Sequence, residues 1–325
     1  MSRRFGRILL RAVVTLLMVT GLNFILFRVI PGDPASLLLS GARISVTAEQ
    51  IEAQRESWGL DRPLFPDQVL DYLSTTLRGD LGYSFKFRGR RVADLIVERL
   101  PSTIALVGLA QLVAIIFGVM LGMYAGWRRG RAVDNIIMGA SLALYSTPSF
   151  WLGMILMAIF STGLGLLPGY GAYSPTAGDT APFAWLMDRA RHLVLPVTAI
   201  ALGLIGQYVV VSRAAMSDVI TEDYMVTARA KGLTGRQMLM QHAFRNAMLP
   251  VVTLVALNLG YVVAGAITVE AIFAWPGIGG LTVQALNARD YPVLQGVFLL
   301  LGASIVVANL VADIAYGILD PRVRQ

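Results

Sequence analysis

The chain contains no cysteine, which excludes structural disulfides, thiolate nucleophiles, cysteine-based zinc sites and cysteine-ligated clusters. Its only lysines are Lys86 and Lys231, and neither closes a G-x-x-x-x-G-K-[ST] loop. Any ATP hydrolysis linked to this chain therefore needs another polypeptide. His192 and His242 form no H-E-x-x-H pair, and Gly139-Ala140-Ser141 and Gly302-Ala303-Ser304 both lack the last glycine of a G-x-S-x-G elbow. An intramembrane hydrolase thus finds neither its metal motif nor its nucleophile motif. Charge is scarce as well: 14% of the 325 residues are Asp, Glu, Lys or Arg, against roughly 25% in a soluble domain.

Apolar side chains fill the gap, at 56% of the chain and a mean hydropathy of +0.65. Several apolar runs exceed the roughly 18–20 residues that cross a bilayer, and they are continuous rather than alternating, which predicts helices and not a barrel. Six spans are expected, over residues 12–30, 102–126, 135–162 (with Pro148 inside), 193–211, 249–273 and 293–319. The first run is long for a cleaved secretory signal and no small-x-small site lies just beyond it, so it reads as an uncleaved span. Residues 31–100 form a hydrophilic loop with nine basic and ten acidic residues. A Thr47/Gln50 capping box starts one helix there, and a second covers 67–78, closed by Gly79.

Orientation follows from short basic segments. The N-terminus, the 127–134 turn, the 213–248 loop and the 320–325 tail carry 4, 3, 5 and 2 basic residues. The short opposite loops carry only Arg189, Arg191 and Arg289. By the positive-inside rule both termini and the 213–248 loop face the cytoplasm, which also puts His192 and His242 on opposite sides of the membrane. The net charge of +7 is thereby a topology signal, and no nucleic-acid partner is expected.

The most informative stretch is 221–250, TEDYMVTARAKGLTGRQMLMQHAFRNAMLP. Thr221 is placed to cap a short helix, with Glu222 and Asp223 in its first turn and Arg229 and Lys231 in its last. Gly232 then stops it. Thr234 and Gln237 form a second capping box, whose helix runs to Pro250.

TARAKGL followed by HAFRNAMLP resembles the coupling loop of ABC-importer permeases, in the form found in the dipeptide, oligopeptide and nickel branch. Aligned on Gly232, the Glu-Ala-Ala opening of the general importer motif falls on Val226, Thr227 and Ala228, of which only Ala228 matches. That departure is the one the peptide and nickel branch shows. The likeness extends through RVIPGDPA (28–35), GLDRPL (59–64), GDLGYSF (79–85), ERLPSTIAL (98–106), TPSFWLG (147–153), GLGLLPGYG (163–171), VEAIFAWPGIGGLTVQALNARDYPVLQG (269–296) and ADIAYGILDPRVR (312–324). It covers nearly the whole chain, in order.

The resemblance implies an all-α polytopic type I ABC-importer permease of the bacterial inner membrane. Its expected parts are a cytoplasmic N-terminus with the first span (1–30), an extracytoplasmic cap (31–100), a five-helix core (101–319) holding the coupling loop, and a cytoplasmic tail. It further implies a homologous second permease subunit, two cytoplasmic ATPase subunits that bind ATP and Mg2+, and an extracytoplasmic solute-binding protein. The chain itself is expected to bind no cofactor and no metal and to catalyse nothing. Thr227, Ala228, Arg229, Ala230, Lys231, Gly232 and Leu233 would dock on the ATPase, small Ala228 and Ala230 allowing close approach. The solute would be a short peptide, or a nickel chelate, glutathione or an opine. A self-sufficient secondary carrier is the competing class, but the six spans show no internal duplication.

Within the expected fifth span, Asn258, Tyr261 and Gly265 recur on one side, and Glu270 follows near its outer end. Polar and ionisable groups in a span are costly and mark pathways by default, so these four are candidate pathway residues, with plain helix packing as the alternative. Asp313 in the sixth span is weighed the same way. Asn23, Gln111 and Gln207 read as isolated packing residues.

Overall fold

Continuous apolar sequence with its polar backbone satisfied internally gives a chain of helices. The computed structural model describes residues 2–29, 63–87, 89–175, 181–264 and 266–319. In order, α1 is Ser2–Phe24, α2 Val69–Leu77, α3 Val92–Trp127, α4 Ala132–Ser146, α5 Ser149–Leu156 and α6 Pro182–Val219. Then come α7 Asp223–Ala230, α8 Phe244–Ala264, α9 Ile267–Ile272, α10 Ile278–Ala288 and α11 Tyr291–Leu319. Wider π-type turns extend α1 over Ile25–Val29, extend α5 over Met157–Gly163 and lead into α8 over Met238–Ala243. Among the described residues the only β pairing is an isolated bridge between Tyr83 and Arg91.

Among the described residues, four helices are long and apolar enough to cross a membrane: Leu9–Phe27, Val92–Trp127, Pro182–Val219 and Tyr291–Leu310. The expected third span is a bent pair, Ala132–Ser146 and Ser149–Gly163, meeting at 97°. Pro148 stands at the break: it has no N–H to continue the ladder and sits with φ −58° and ψ 131° as the cap of α5. The segment expected as the fifth span is divided as well, into α8 and the short α9. Pro101, Pro196 and Pro250 lie inside α3, α6 and α8, so the helix that the sequence predicts to end at Pro250 continues through it. The Thr47/Gln50 helix and the tail lie outside the described residues.

The chain divides into two compact units, residues 1–100 with 281–306, and residues 101–280 with 307–325. In the first, α2 forms where the 67–78 helix was expected, and Gly79 follows it at φ +73°. Phe24, Tyr72 and Leu299 make a small buried cluster there, the rings of Phe24 and Tyr72 lying 5.4 Å apart. Tyr72 Oη donates to Asn23 Oδ1 (3.1 Å) and Asn23 Nδ2 to the Gln295 carbonyl (3.2 Å), so Asn23 is not isolated. The fully buried carboxylate of Asp290 accepts from Ser84 Oγ (2.5 Å), Phe85 N (3.1 Å) and Lys86 N (3.0 Å), which ties down the 83–91 loop.

The second unit is organised around α6. Gly118, Gly122 and Gly126 recur every four residues on α3 and lie against it. A Cβ added to each would come within 2.5 Å of Tyr208 Cβ, 2.5 Å of the Val209 carbonyl oxygen and 2.7 Å of Met216 Cβ. Small residues here let two backbones touch, the main source of helix–helix attraction in lipid, where hydrophobic burial drives nothing. Gly206 makes the same approach to α4, with a would-be Cβ 2.5 Å from the Ser141 carbonyl oxygen. Tyr208, Met216, Leu195, Phe273 and Trp275 fill the interior around these contacts.

Candidate functional site

The 221–250 segment folds into two arms. The first is α7. Thr221 does not cap it: its hydroxyl donates back to the Asp218 carbonyl (2.7 Å), and Glu222 takes the cap position without a side-chain bond. The C-terminal end is as expected. Gly232 sits at φ +78°, its N–H bonds the Arg229 carbonyl (3.0 Å), and the Leu233 N–H reaches the Ala228 carbonyl (3.3 Å). These two bonds form a Schellman motif, which only glycine closes without strain. The Thr234/Gln237 capping box is present, with Thr234 N donating to Gln237 Oε1 at 2.9 Å.

α7 has two faces. Met225 and Ala228 are buried in the unit's main apolar cluster, and Leu233 packs against it. Tyr224, Val226, Thr227, Arg229, Ala230, Lys231 and Gly232 are exposed. Ala228 therefore packs inward on its own chain, whereas the resemblance implies a contact with a partner for it beside Ala230. The Thr227 hydroxyl bonds the Asp223 carbonyl one turn back (3.1 Å). The second arm holds α7 in place, since Asn246 Nδ2 donates to Tyr224 Oη (2.9 Å). What results is a short helix with a buried apolar underside and an exposed surface that carries Glu222 and Asp223 at its start and the cations Arg229 and Lys231 at its end.

The candidate pathway residues separate. Asn258 Nδ2 donates to Tyr208 Oη (3.0 Å) and Gln207 Oε1 (3.3 Å), and Gln111 Nε2 bonds the same Tyr208 oxygen. One polar cluster thus joins α3, α6 and α8 part-way along each. Gln111 and Gln207, read from sequence as isolated, belong to it, and Tyr208 was missed altogether. Glu270 is elsewhere and fully buried. Its carboxylate accepts from Thr103 Oγ1 (2.9 Å) and Gly280 N (3.1 Å), while Ile278 N donates to Thr103 Oγ1 (2.8 Å). Gly277 and Gly279 make room for it, as a Cβ on either would fall within 2.3 Å and 2.9 Å of Glu270 Oε2. Glu270 therefore anchors the W-P-G-I-G-G loop to α3 and faces no open surface of the chain. The side chains of Tyr261 and Asp313, and Gly265, lie outside the described residues.

Comparison with known proteins decides the family. Residues 118–325 match the model described as "Binding-protein-dependent transport system inner membrane component". Residues 1–107 match the companion N-terminal model of such membrane components. The chain is 39% identical to the di/tripeptide transport system permease protein DppB of Pseudomonas aeruginosa, over 100% of this chain and 98% of that one. It is 38% identical to the dipeptide transport system permease protein DppB of Escherichia coli (strain K12), over 99% and 98%. The glutathione transport system permease protein GsiC of Escherichia coli matches at 38%, over 97% of each. The chain belongs to this permease family.

The permease is thus a helical, multi-pass inner-membrane transport subunit. In it, the resemblance legible in the coupling motif and the exposed position of α7 coincide on one short segment. Sequence spacing alone missed a second polar contact. Asp134 on α4 is 1% exposed, and Arg213 near the end of α6 grips it through Nε (2.5 Å) and Nη2 (2.7 Å). The partners stand 79 residues apart, so no local pattern could announce them.

Proposed function

We propose that this permease forms one half of the membrane pathway of an ATP-driven importer of di- and oligopeptides, beside a homologous second subunit. Two cytoplasmic ATPase subunits bind ATP and Mg2+ and supply the energy, and an extracytoplasmic binding protein delivers the peptide. The permease performs no chemistry itself. Both of its termini and the 213–248 loop lie in the cytoplasm. Glutathione is the second solute reading, carried by the equal 38% identity to a glutathione permease and a dipeptide permease.

The observation that carries this reading is the two-faced α7. Its underside is spent on the permease core, so the exposed face with Thr227, Arg229, Ala230 and Lys231 is free for another protein. The C-terminal end of that face, with Arg229, Ala230 and Lys231, suits an acidic patch on the partner. Gly232 and Leu233 fix the angle at which the helix is presented. The Gln111–Tyr208–Asn258 cluster bounds the pathway in this reading, with amide and phenol groups suited to peptide N–H and C=O.

A single cysteine tests the docking, because the native chain has none. Ala230→Cys is expected to crosslink to the ATPase subunit and to be shielded from water-soluble thiol reagents in the assembled complex. Full reagent access in a complex that still transports refutes the assignment.

A further inference from the structure

The exposed face of α7 gives motion a place to enter, but a rigid path must carry it into the spans. One closed ring of contacts in the second unit provides it. Tyr224 on α7 is bonded to Asn246 (2.9 Å). The start of that second arm lies under the end of α3, where a Cβ on Gly235 would sit 3.8 Å from the Trp127 ring. One residue earlier, α3 touches α6, a Cβ on Gly126 falling 2.8 Å from the Arg213 carbonyl oxygen. The ring closes through Arg213 and Asp134. Both guanidinium bonds to Asp134 are charge-assisted and share the fork geometry that fixes orientation as well as distance. Asp134 Oδ2 also accepts the Gly130 N–H (3.0 Å), so the tight 128–131 turn is locked to the same carboxylate.

We infer that the Asp134–Arg213 pair is the strut through which displacement of α7 moves α3, α4 and α6 as one block. This rests on the docking role proposed above for α7. Asp134 and Arg213 are positioning residues: neither lies on the exposed face of α7 or in the Gln111–Tyr208–Asn258 cluster. The pair joins the first turn of α4, and through Gly130 the tight turn before it, to the last two turns of α6, ten residues before the first residue of α7. A surface ion pair is worth little, but one partner here is almost fully buried and held by three donors, so the geometry is not free to drift.

Arg213→Lys and Asp134→Asn are the variants to use. The first keeps the charge and loses the two-pronged grip, and the second keeps the shape and loses the charge. Each is assembled in proteoliposomes with the second permease subunit, the ATPases and the binding protein, and carries Ala230→Cys as a docking reporter. The readout is solute moved per ATP hydrolysed, normalised to assembled complex. A role confined to folding lowers the amount of complex and leaves that ratio alone. The ratio is expected to fall, ATP being hydrolysed without matching solute movement, while the reporter's crosslink to the ATPase persists. A ratio in both variants equal to that of the Ala230→Cys parent overturns the inference, as does failure of both to assemble. Loss of the crosslink only in the variants also overturns it, because the pair would then serve docking. Loss of the crosslink in the Ala230→Cys parent instead defeats the docking reading itself.

Discussion

Replacing Gly122 by alanine adds one methyl group where α3 and α6 already touch. The new Cβ would lie 2.5 Å from the Val209 carbonyl oxygen and 2.9 Å from Ser212 Cβ. Ordinary contact needs roughly an ångström more, so the two backbones must part along the Gly118–Gly122–Gly126 line. Overpacking of this kind costs about 1–3 kcal/mol. Alanine also gains about 0.8–1 kcal/mol of helix propensity over glycine, which would blur the result. Gly139→Ala on α4 removes that ambiguity, since a Cβ there meets nothing within 4 Å. The propensity gain is common to both substitutions, and their difference isolates the packing term. Unfolding in mixed micelles, followed by helical circular dichroism against denaturing detergent, is expected to place Gly122→Ala about 1–3 kcal/mol below Gly139→Ala. Equal stabilities would refute the claim that α3 and α6 meet backbone to backbone.

Three further outcomes follow from the same contacts. Asn258→Ala removes two hydrogen bonds in the polar cluster and is expected to cost about 1–2 kcal/mol, near the range measured for such bonds within membranes; detergent unfolding measures it, and an unchanged midpoint counts against the cluster. Thr103→Val keeps the shape but leaves the buried Glu270 carboxylate without its hydroxyl donor, a loss of about 1–3 kcal/mol in the same assay. In Thr103→Ser, which keeps the hydroxyl, stability is expected to recover most of that loss. Gly232→Pro deletes the N–H that bonds Arg229 and forbids the φ of +78°; membrane insertion should persist while transport-coupled ATP hydrolysis, measured in proteoliposomes, is abolished.

Most of the local chemistry that depends on neighbours in sequence was legible. The Gly232 turn, the Thr234/Gln237 box and the Gly79 stop all involve residues close to one another in the chain, and all are present. Thr221 failed by the same local rule, because its hydroxyl had a competing acceptor in the Asp218 carbonyl. Pro148 was visible, yet a proline in a span can be absorbed or can break it, and only the packing of α4 and α5 decides that. Gln111, Gln207 and Asn258 illustrate the larger gap. Each is a single polar residue in an apolar helix, and nothing nearby indicates that Gln111 meets Tyr208 97 residues on. The inward turn of Ala228 has the same origin, since an alanine fits a core and an interface equally well. The glycine line on α3 is different: its spacing of four stands in the sequence, and what the structure adds is the identity of the helix it meets.

The central claim is that this permease is driven by partners and powers nothing alone. Its most direct test is solute accumulation in proteoliposomes as components are withheld one at a time. Uptake of a labelled dipeptide is expected only with the second permease subunit, the ATPases, ATP and the binding protein all present, and to stop when any is omitted. Accumulation by the purified chain alone, driven by an ion gradient, would contradict the account.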